Sequence, residues 1–213
     1  MACSGQKQLI QPRAVVANEG MNVLYIGLNN PISVAVDGYL PGQVFVTTTS
    51  ACKLSGDSGN YFINPPETQG KIREIGVNVY AVSAKKDTVF IDNKVFRIKR
   101  IPIPTPYFGS KAAGYIGPGE IRIVNFISVR LEDFPFDLRF YVTSFKMIFQ
   151  PNGGYAQYYV AEGPRITPEM KMAFHNVQKG DKIIIRDIKI ARKVDEVMIP
   201  DNREVTAIHL IVK

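Results

Sequence analysis

The chain has 213 residues, 46% of them hydrophobic and 21% charged, a balance that argues for a folded globular protein and against a disordered one. That length is comfortable for two domains of roughly 100 residues each and long for one. The formal net charge is +7, but 11 Lys+Arg face 7 Asp+Glu over residues 1–106 and 15 face 12 over residues 107–213, so no concentrated basic block marks a nucleic-acid binder.

The first residues, Met-Ala-Cys-Ser-Gly-Gln-Lys-Gln, set a small residue before Cys3 and a polar tether after it. That order resembles the cleavage end of a bacterial lipoprotein signal peptide whose apolar region is missing. Two readings stand side by side: Cys3 is the lipidated first residue of the mature chain, or it is an incidental cysteine behind an ordinary start. A single acyl chain anchors weakly, whereas several chains on one cysteine hold stably. The other cysteine, Cys52, has no Cys-x-x-Cys neighbour, which removes metal and thioredoxin-like readings. No apolar run approaches the length of a bilayer span.

After a tether over residues 1–12, short strands follow at regular spacing. Arg13 to Ala17, Met21 to Ile26 and the strictly alternating Ile32 to Val36 come first, with Asn29-Asn30-Pro31 as a turn between the last two. Val44 to Thr48 is β-branched, Ser55 to Asn60 reads as a Gly/Ser/Asp loop, and Tyr61 to Asn64 is a short strand. Lys71 to Val82 is a longer one, with Gly76 at a bulge or a close approach. Lys85-Lys86-Asp87 turns the chain into Lys94 to Ile101. Strands at this spacing without a helix predict an immunoglobulin-like sandwich. Pro102, Pro104 and Pro106 then fix φ and remove donors, so they predict an extended, semi-rigid connector through which no sheet continues.

The second half opens on a glycine-rich stretch, Gly109 to Gly119, followed by strands at Glu120 to Asn125 and Ser128 to Leu131. Leu138 to Phe149 is dense in aromatic and β-branched residues. Asn152-Gly153-Gly154 turns it into Tyr155 to Ala161. One helix is expected, capped by Thr167 with Pro168 at its first position and an apolar stripe of Ile166, Met170, Ala173, Phe174 and Val177, ending near Asn176. Lys182 to Ala191 is a central strand, and Val205 to Val212 pairs with it across Pro200-Asp201-Asn202. Together these predict an all-β chain of two tandem immunoglobulin-like β-sandwich domains, 13–103 and 104–213, the second with one short α-helix.

No catalytic constellation emerges. His175 and His209 lack the carboxylate or thiol company of a zinc site. Glu132, Asp133 and Asp137 bracket Phe134-Pro135-Phe136 as an acidic loop, a weak imitation of a paired-carboxylate hydrolase. Gly114-x-x-Gly117-x-Gly119 lacks the ending of a phosphate loop and is read without a following helix. Binding features are clearer. Arg97, Lys99 and Arg100 ride on the closing strand of the first domain, and Arg186, Lys189, Arg192 and Lys193 on a late strand of the second. Edge protection explains such charges equally well. Tyr115, Tyr155, Tyr158 and Tyr159 suit a partner surface.

Four segments resemble the C-terminal part of the GldM (PorM) family: MNVLYIGLNNPISVAV at Met21 to Val36, VFRIKRIPIP at Val95 to Pro104, LEDFPFDLRFYVTSF at Leu131 to Phe145 and GDKIIIRDIKI at Gly180 to Ile190. Their order and spacing match over nearly all of residues 13–213. The resemblance implies the third periplasmic and the C-terminal domains of an elongated homodimeric shaft from the gliding-motility and type IX secretion machinery of Bacteroidota. It departs from the full-length pattern in having no membrane helix and no earlier periplasmic domains, so the expectation is either a fragment or a short stand-alone relative, and the lipoprotein-like start favours the second. The reading is of a non-enzymatic structural component of the cell envelope. It needs no cofactor or metal, binds other envelope proteins and no nucleic acid, forms a homodimer, and meets a membrane only through a lipid on Cys3. Arg97, Lys99, Arg100, Tyr155, Tyr158 and Tyr159 are the candidate contacts. The rival is a ligand- or glycan-binding envelope lipoprotein on the same scaffold, which calls for a concave aromatic pocket.

Overall fold

The computed structural model describes residues 12–17, 22–66, 73–194 (without the side chain of Val194) and 196–213. Cys3, Met21 and the start of the strand expected at Lys71 lie outside these. The chain divides into two compact units, residues 1–101 and 102–213. No described helix is long and apolar enough to cross a membrane.

Eight strands make the first unit: β1 (Ala14–Ala17), β2 (Val23–Tyr25), β3 (Asn30–Val36), β4 (Val44–Thr48), β5 (Lys53–Asp57), β6 (Asn60–Asn64), β7 (Glu74–Val82) and β8 (Thr88–Lys99). They form two sheets, ordered β1-β3-β6-β5 and β2-β8-β7-β4. Only β2 and β8 pair in parallel among these neighbours. This is the strand partition of an immunoglobulin-type sandwich. The alternation legible in β3 is realised, with Ile32, Val34 and Val36 buried and Ser33 and Ala35 exposed. Opposite them lie Val44, Val46, Val77, Val79 and Phe96 in one core cluster. Tyr61 spans the two sheets, its hydroxyl donating to the Val44 carbonyl at 2.7 Å.

Asn30 is fully buried and fully bonded. Its amide nitrogen donates to the carbonyls of Tyr25, Leu28 and Ile63, each at 2.9 Å, and its side-chain oxygen accepts from the Tyr25 amide at 2.7 Å. One side chain thus ties β2, the turn and β6 together. Two expectations change here. Ser55 to Asp57 is strand, not loop, because β5 pairs with β6 from Lys53↔Asn64 to Asp57↔Asn60. All five β5 residues are exposed, so no apolar alternation betrays it. Gly76 is a close approach without a bulge. Its amide donates to Thr49 Oγ1 at 2.9 Å, and a Cβ there would sit 2.8 Å from Thr49 Cγ2. The irregular step of β7 falls later, between Val79 and Tyr80.

The second unit runs β9 (Thr105–Phe108), β10 (Gly114–Ile116), α1 (Pro118–Ile123), β11 (Ile127–Arg130), β12 (Phe140–Gln150), β13 (Gln157–Glu162), α2 (Pro168–Ala173), β14 (Lys182–Val194), β15 (Val197–Asp201) and β16 (Ile208–Val212). A large sheet is ordered β10-β16-β14-β12-β13, with β15 paired beside the second half of β14. Its inner face is covered by the β9–β11 pair and the two helices. Phe174, just past α2, meets Phe108 of β9 and Phe149 of β12 edge-on, at centroid distances of 5.9 and 6.2 Å. Buried Asp181 accepts from the amides of Asn152 and Gln178, both at 2.8 Å, and so fastens the β12–β13 turn to the start of β14. Gly180 before it has φ +91, and a Cβ would lie 2.8 Å from Asn152 Nδ2.

α2 starts as expected, with Thr167 Oγ1 accepting from the Met170 amide at 3.3 Å. Four other readings change. Glu120 to Ile123 is helical, because Pro118 opens a turn whose Glu120 carboxylate reaches back to the Gly117 amide at 3.2 Å. The second unit therefore has two short helices, and the glycine-rich stretch holds the ordered strand β10 and is followed by a helix. Pro106 lies inside β9, opposite Val129, so strand pairing does continue through the last proline of the connector. β14 turns first into β15 at Glu196, and residues 202–207 carry the chain to β16, which pairs with the first half of β14. Ile208, Leu210 and Val212 do face the core.

The two central strands of this sheet change face together. In β12 the buried set is Phe140 and Val142, then Phe145, Met147 and Phe149; in β14 it is Ile183 and Ile185, then Ile188 and Ile190, with the small Ala191 buried beside them. Each strand skips one residue at the same level, where the register is irregular between Val142 and Lys146. Asp187 makes the step with φ +52. Its carboxylate bonds Lys146 across the pair at 2.9 Å and Arg186 at 3.3 Å.

Two outcomes test this architecture. Asn30→Ala should cost the first unit about 3 kcal/mol by leaving buried backbone groups unpaired, read as faster amide exchange in β2 and β6. Asp187→Val should lower the thermal midpoint by roughly a few degrees, because a β-branched residue resists positive φ, whereas Asp187→Gly should change it far less.

Candidate interaction surface of the second unit

Among the described residues, no group of three or more His, Cys, Asp or Glu is placed to hold a metal ion. The acidic loop is dispersed: Glu132 accepts the Tyr107 hydroxyl at 2.6 Å, and Asp137 pairs with Arg139 at 3.3 Å. That bond to Glu132 raises the Tyr107 pKa, and Arg130 lies 5.0 Å over its ring. His175 follows α2 and is exposed, while His209 stands on the outer face of β16.

That outer face holds the most developed surface feature. A groove of about 760 Å³ is floored by Ile148 of β12, Ile184 of β14 and His209 of β16, and walled by Arg186, Lys189 and the segment from Pro200 to Ala207. The register aligns His209, Ile184, Ile148 and Tyr158 in one row across four strands. The Arg203 guanidinium grips Asp201 through Nε at 2.8 Å and Nη2 at 2.5 Å, which holds the Asp201 carboxyl below the usual range. The Lys146 hydrogen bond, with Arg186 beside it, does the same for Asp187. A hydrolytic pair needs one carboxyl kept protonated near neutrality. Both of these are held ionised, so the groove presents fixed ion pairs beside an apolar floor.

The candidate contacts fall in separate places. Arg97 and Lys99 are exposed on β8, and Arg100 just beyond it, in the first unit. β8 lies between β2 and β7, and β14 likewise between strands, so protection of a free edge does not account for Arg97, Lys99, Arg186 or Lys189. Tyr155 is 95% exposed before β13, and Tyr158 is 75% exposed on its outer face. Tyr159 turns to the other face opposite Met147, its hydroxyl donating to Gln157 Oε1 at 2.6 Å. Residue-by-residue reading passed over Ile148, Ile184 and Val160. Their signal was present: each occupies the solvent phase of a strand that already has a full core phase. In the first unit Phe45 and Tyr80 stack face to face at 5.2 Å, so each covers one face of the other.

Asp201→Asn should destabilise the second unit by about 1–3 kcal/mol at neutral pH, since its side chain is 12% exposed and charge-paired. Because the folded pKa is depressed, that contribution is present above the unfolded value of about 4 and fades as pH falls through the folded one. Acid unfolding curves of the two proteins should therefore converge at low pH.

Residues 13–99 match the family model described as the GldM third domain, and residues 102–200 that of the GldM C-terminal domain. No curated protein matches the chain in sequence. Among solved structures, the fibronectin(III)-like modules of Clostridium thermocellum CbhA align over 93% of this chain and 94% of theirs, at 13% identity and a TM-score of 0.28. The chicken VE-cadherin EC1-2 structure aligns over 90% of this chain and 96% of its own, at 13% identity and 0.26. The protocadherin GammaB4 extracellular domain aligns over 94% of this chain at 9% identity and 0.33, with 33% of its own length covered. Superpositions this loose carry no argument.

Proposed function

The chain belongs to the GldM family through both domains it carries, and from that premise we propose that it is a non-enzymatic structural component of the bacterial cell envelope, working by contact with other proteins. The observation that carries the reading is the tandem match, the GldM third domain over residues 13–99 followed by the GldM C-terminal domain over residues 102–200. Its partners are envelope proteins of the gliding-motility and type IX secretion machinery in Bacteroidota, and a second copy with which it forms a homodimer. The exposed Arg97, Lys99, Arg100, Tyr155 and Tyr158 suit such contacts, with Tyr159 supporting the same hairpin from its other face. Lipidation of Cys3 would tether the chain to a membrane from the periplasmic side.

A ligand-binding lipoprotein would draw on the groove above Ile148 and Ile184. That lining carries no Phe, Tyr or Trp, and its two aspartates, Asp187 and Asp201, are held in ion pairs, which favours a protein surface over a glycan or small-molecule site. Mass spectrometry of the protein from its native cells is the direct test. The expected product begins at Cys3, carries acyl chains and fractionates with the envelope. A chain that keeps free Met1 and stays in the cytosol would remove the envelope reading.

A further inference from the structure

The second unit leaves one long strand edge uncovered. β13 ends the order of its sheet, and no described strand lies beyond it. The Gly163 amide donates to the Thr143 carbonyl at 2.7 Å, which fixes the phase of the β12–β13 ladder. By alternation, Gln157, Tyr159 and Ala161 bond β12, and the amides and carbonyls of Tyr158, Val160 and Glu162 point away from the sheet. Water satisfies such a row in the separate chain, and another extended backbone can replace that water along its whole length.

Natural edges of this kind are blunted by charge, proline or glycine. Among the described edges, β15 carries Pro200 and Asp201 and β5 carries Lys53, Gly56 and Asp57, while β1, β2 and β4 carry no such residue but are shorter than the six residues of β13. β13, Gln-Tyr-Tyr-Val-Ala-Glu, carries no proline or glycine, and its one charge is Glu162 at its last position. Tyr158 and Val160 are 75% and 63% exposed, in rows that continue onto Ile148 and Lys146 of β12.

We propose that β13 pairs antiparallel with β13 of a second copy, about a two-fold axis at Val160. The register that uses every outward group sets Val160 opposite its own symmetry mate and Tyr158 opposite Glu162. The one charged residue of β13, Glu162, then faces Tyr158 and not its own symmetry mate, so the pairing sets no like charges directly opposite. The two-fold closes the contact, because both copies use the same edge and none is left for a third. A separate incoming strand would instead expose a new edge of its own. This inference rests on the homodimer reading and names the surface that makes it.

Sedimentation of the full chain tests both levels. The native protein should be a dimer, and Tyr158→Lys and Val160→Lys should each weaken it at least about tenfold, since every substitution counts twice across the axis. Val95→Lys, a charge added to a half-exposed position in the first unit, should leave it intact. Circular dichroism should show the same β spectrum for all three, so that any loss of dimer is not a loss of fold. In a Cys3→Ser, Cys52→Ser background, Val160→Cys should give a covalent dimer with a short thiol crosslinker, and Val95→Cys should not. A native dimer that the β13 substitutions leave unchanged, or that Val95→Lys disrupts equally, overturns the edge while the homodimer stands. A native monomer at the highest soluble concentration overturns both.

Discussion

The second unit depends on a shared change of face in β12 and β14. A strand has only two faces, so skipping one residue sends every later side chain to the opposite side. Here the two central strands skip together, and the pairs on either side of the fault, Met147 with Ile185 and Val142 with Ile190, all stay in the core. If one strand skipped alone, half of its apolar residues would oppose solvent-facing partners. Asp187 absorbs the step because its short polar side chain tolerates positive φ and finds Lys146 across the ladder. The same step leaves Ile184 and Ile148 outward on one side of the fault, which gives the groove its apolar floor.

What could be read beforehand follows from how each element signals itself. β3, β4 and β6 announced themselves because one face is buried and the other is not, and α2 because its cap and stripe coincide. β5 gave no signal, since it buries nothing and is held by backbone pairing alone. The strand expected at Glu120 to Asn125 is instead occupied by α1, whose start, Gly117-Pro118-x-Glu120, is visible in the sequence. The isoleucine run of β14 was legible as a central strand, but its connection was not: β15 is too exposed to stand out. Contact surfaces were harder still. Tyr155 and Tyr158 could be nominated by type, whereas the row from His209 to Tyr158 exists only once four separate strands are in register.

The positive charge takes on a different meaning in the fold. Arg97, Lys99, Arg186 and Lys189 lie on interior strands, where they wet the outer faces of sheets whose other faces are apolar. Unguarded backbone is found elsewhere, on a strand rich in tyrosine. The molecule thus offers charged sheet faces, which can steer an acidic neighbour, and a sheet edge on β13 whose one charge, Glu162, stands at its end. The family relationship accounts for both without requiring a reactive group in either unit.

Both units also join an early strand to their last one in parallel: Val23–Tyr25 beside Arg97–Lys99, and Gly114–Ile116 beside Leu210–Val212. Tension drawn along the polypeptide from those early strands to the final ones pulls each pair lengthwise past itself. The bonds then resist side by side and must rupture as a group, unlike a hairpin that unzips one link at a time. Such a patch behaves as a mechanical clasp, suited to a module that transmits load through its ends.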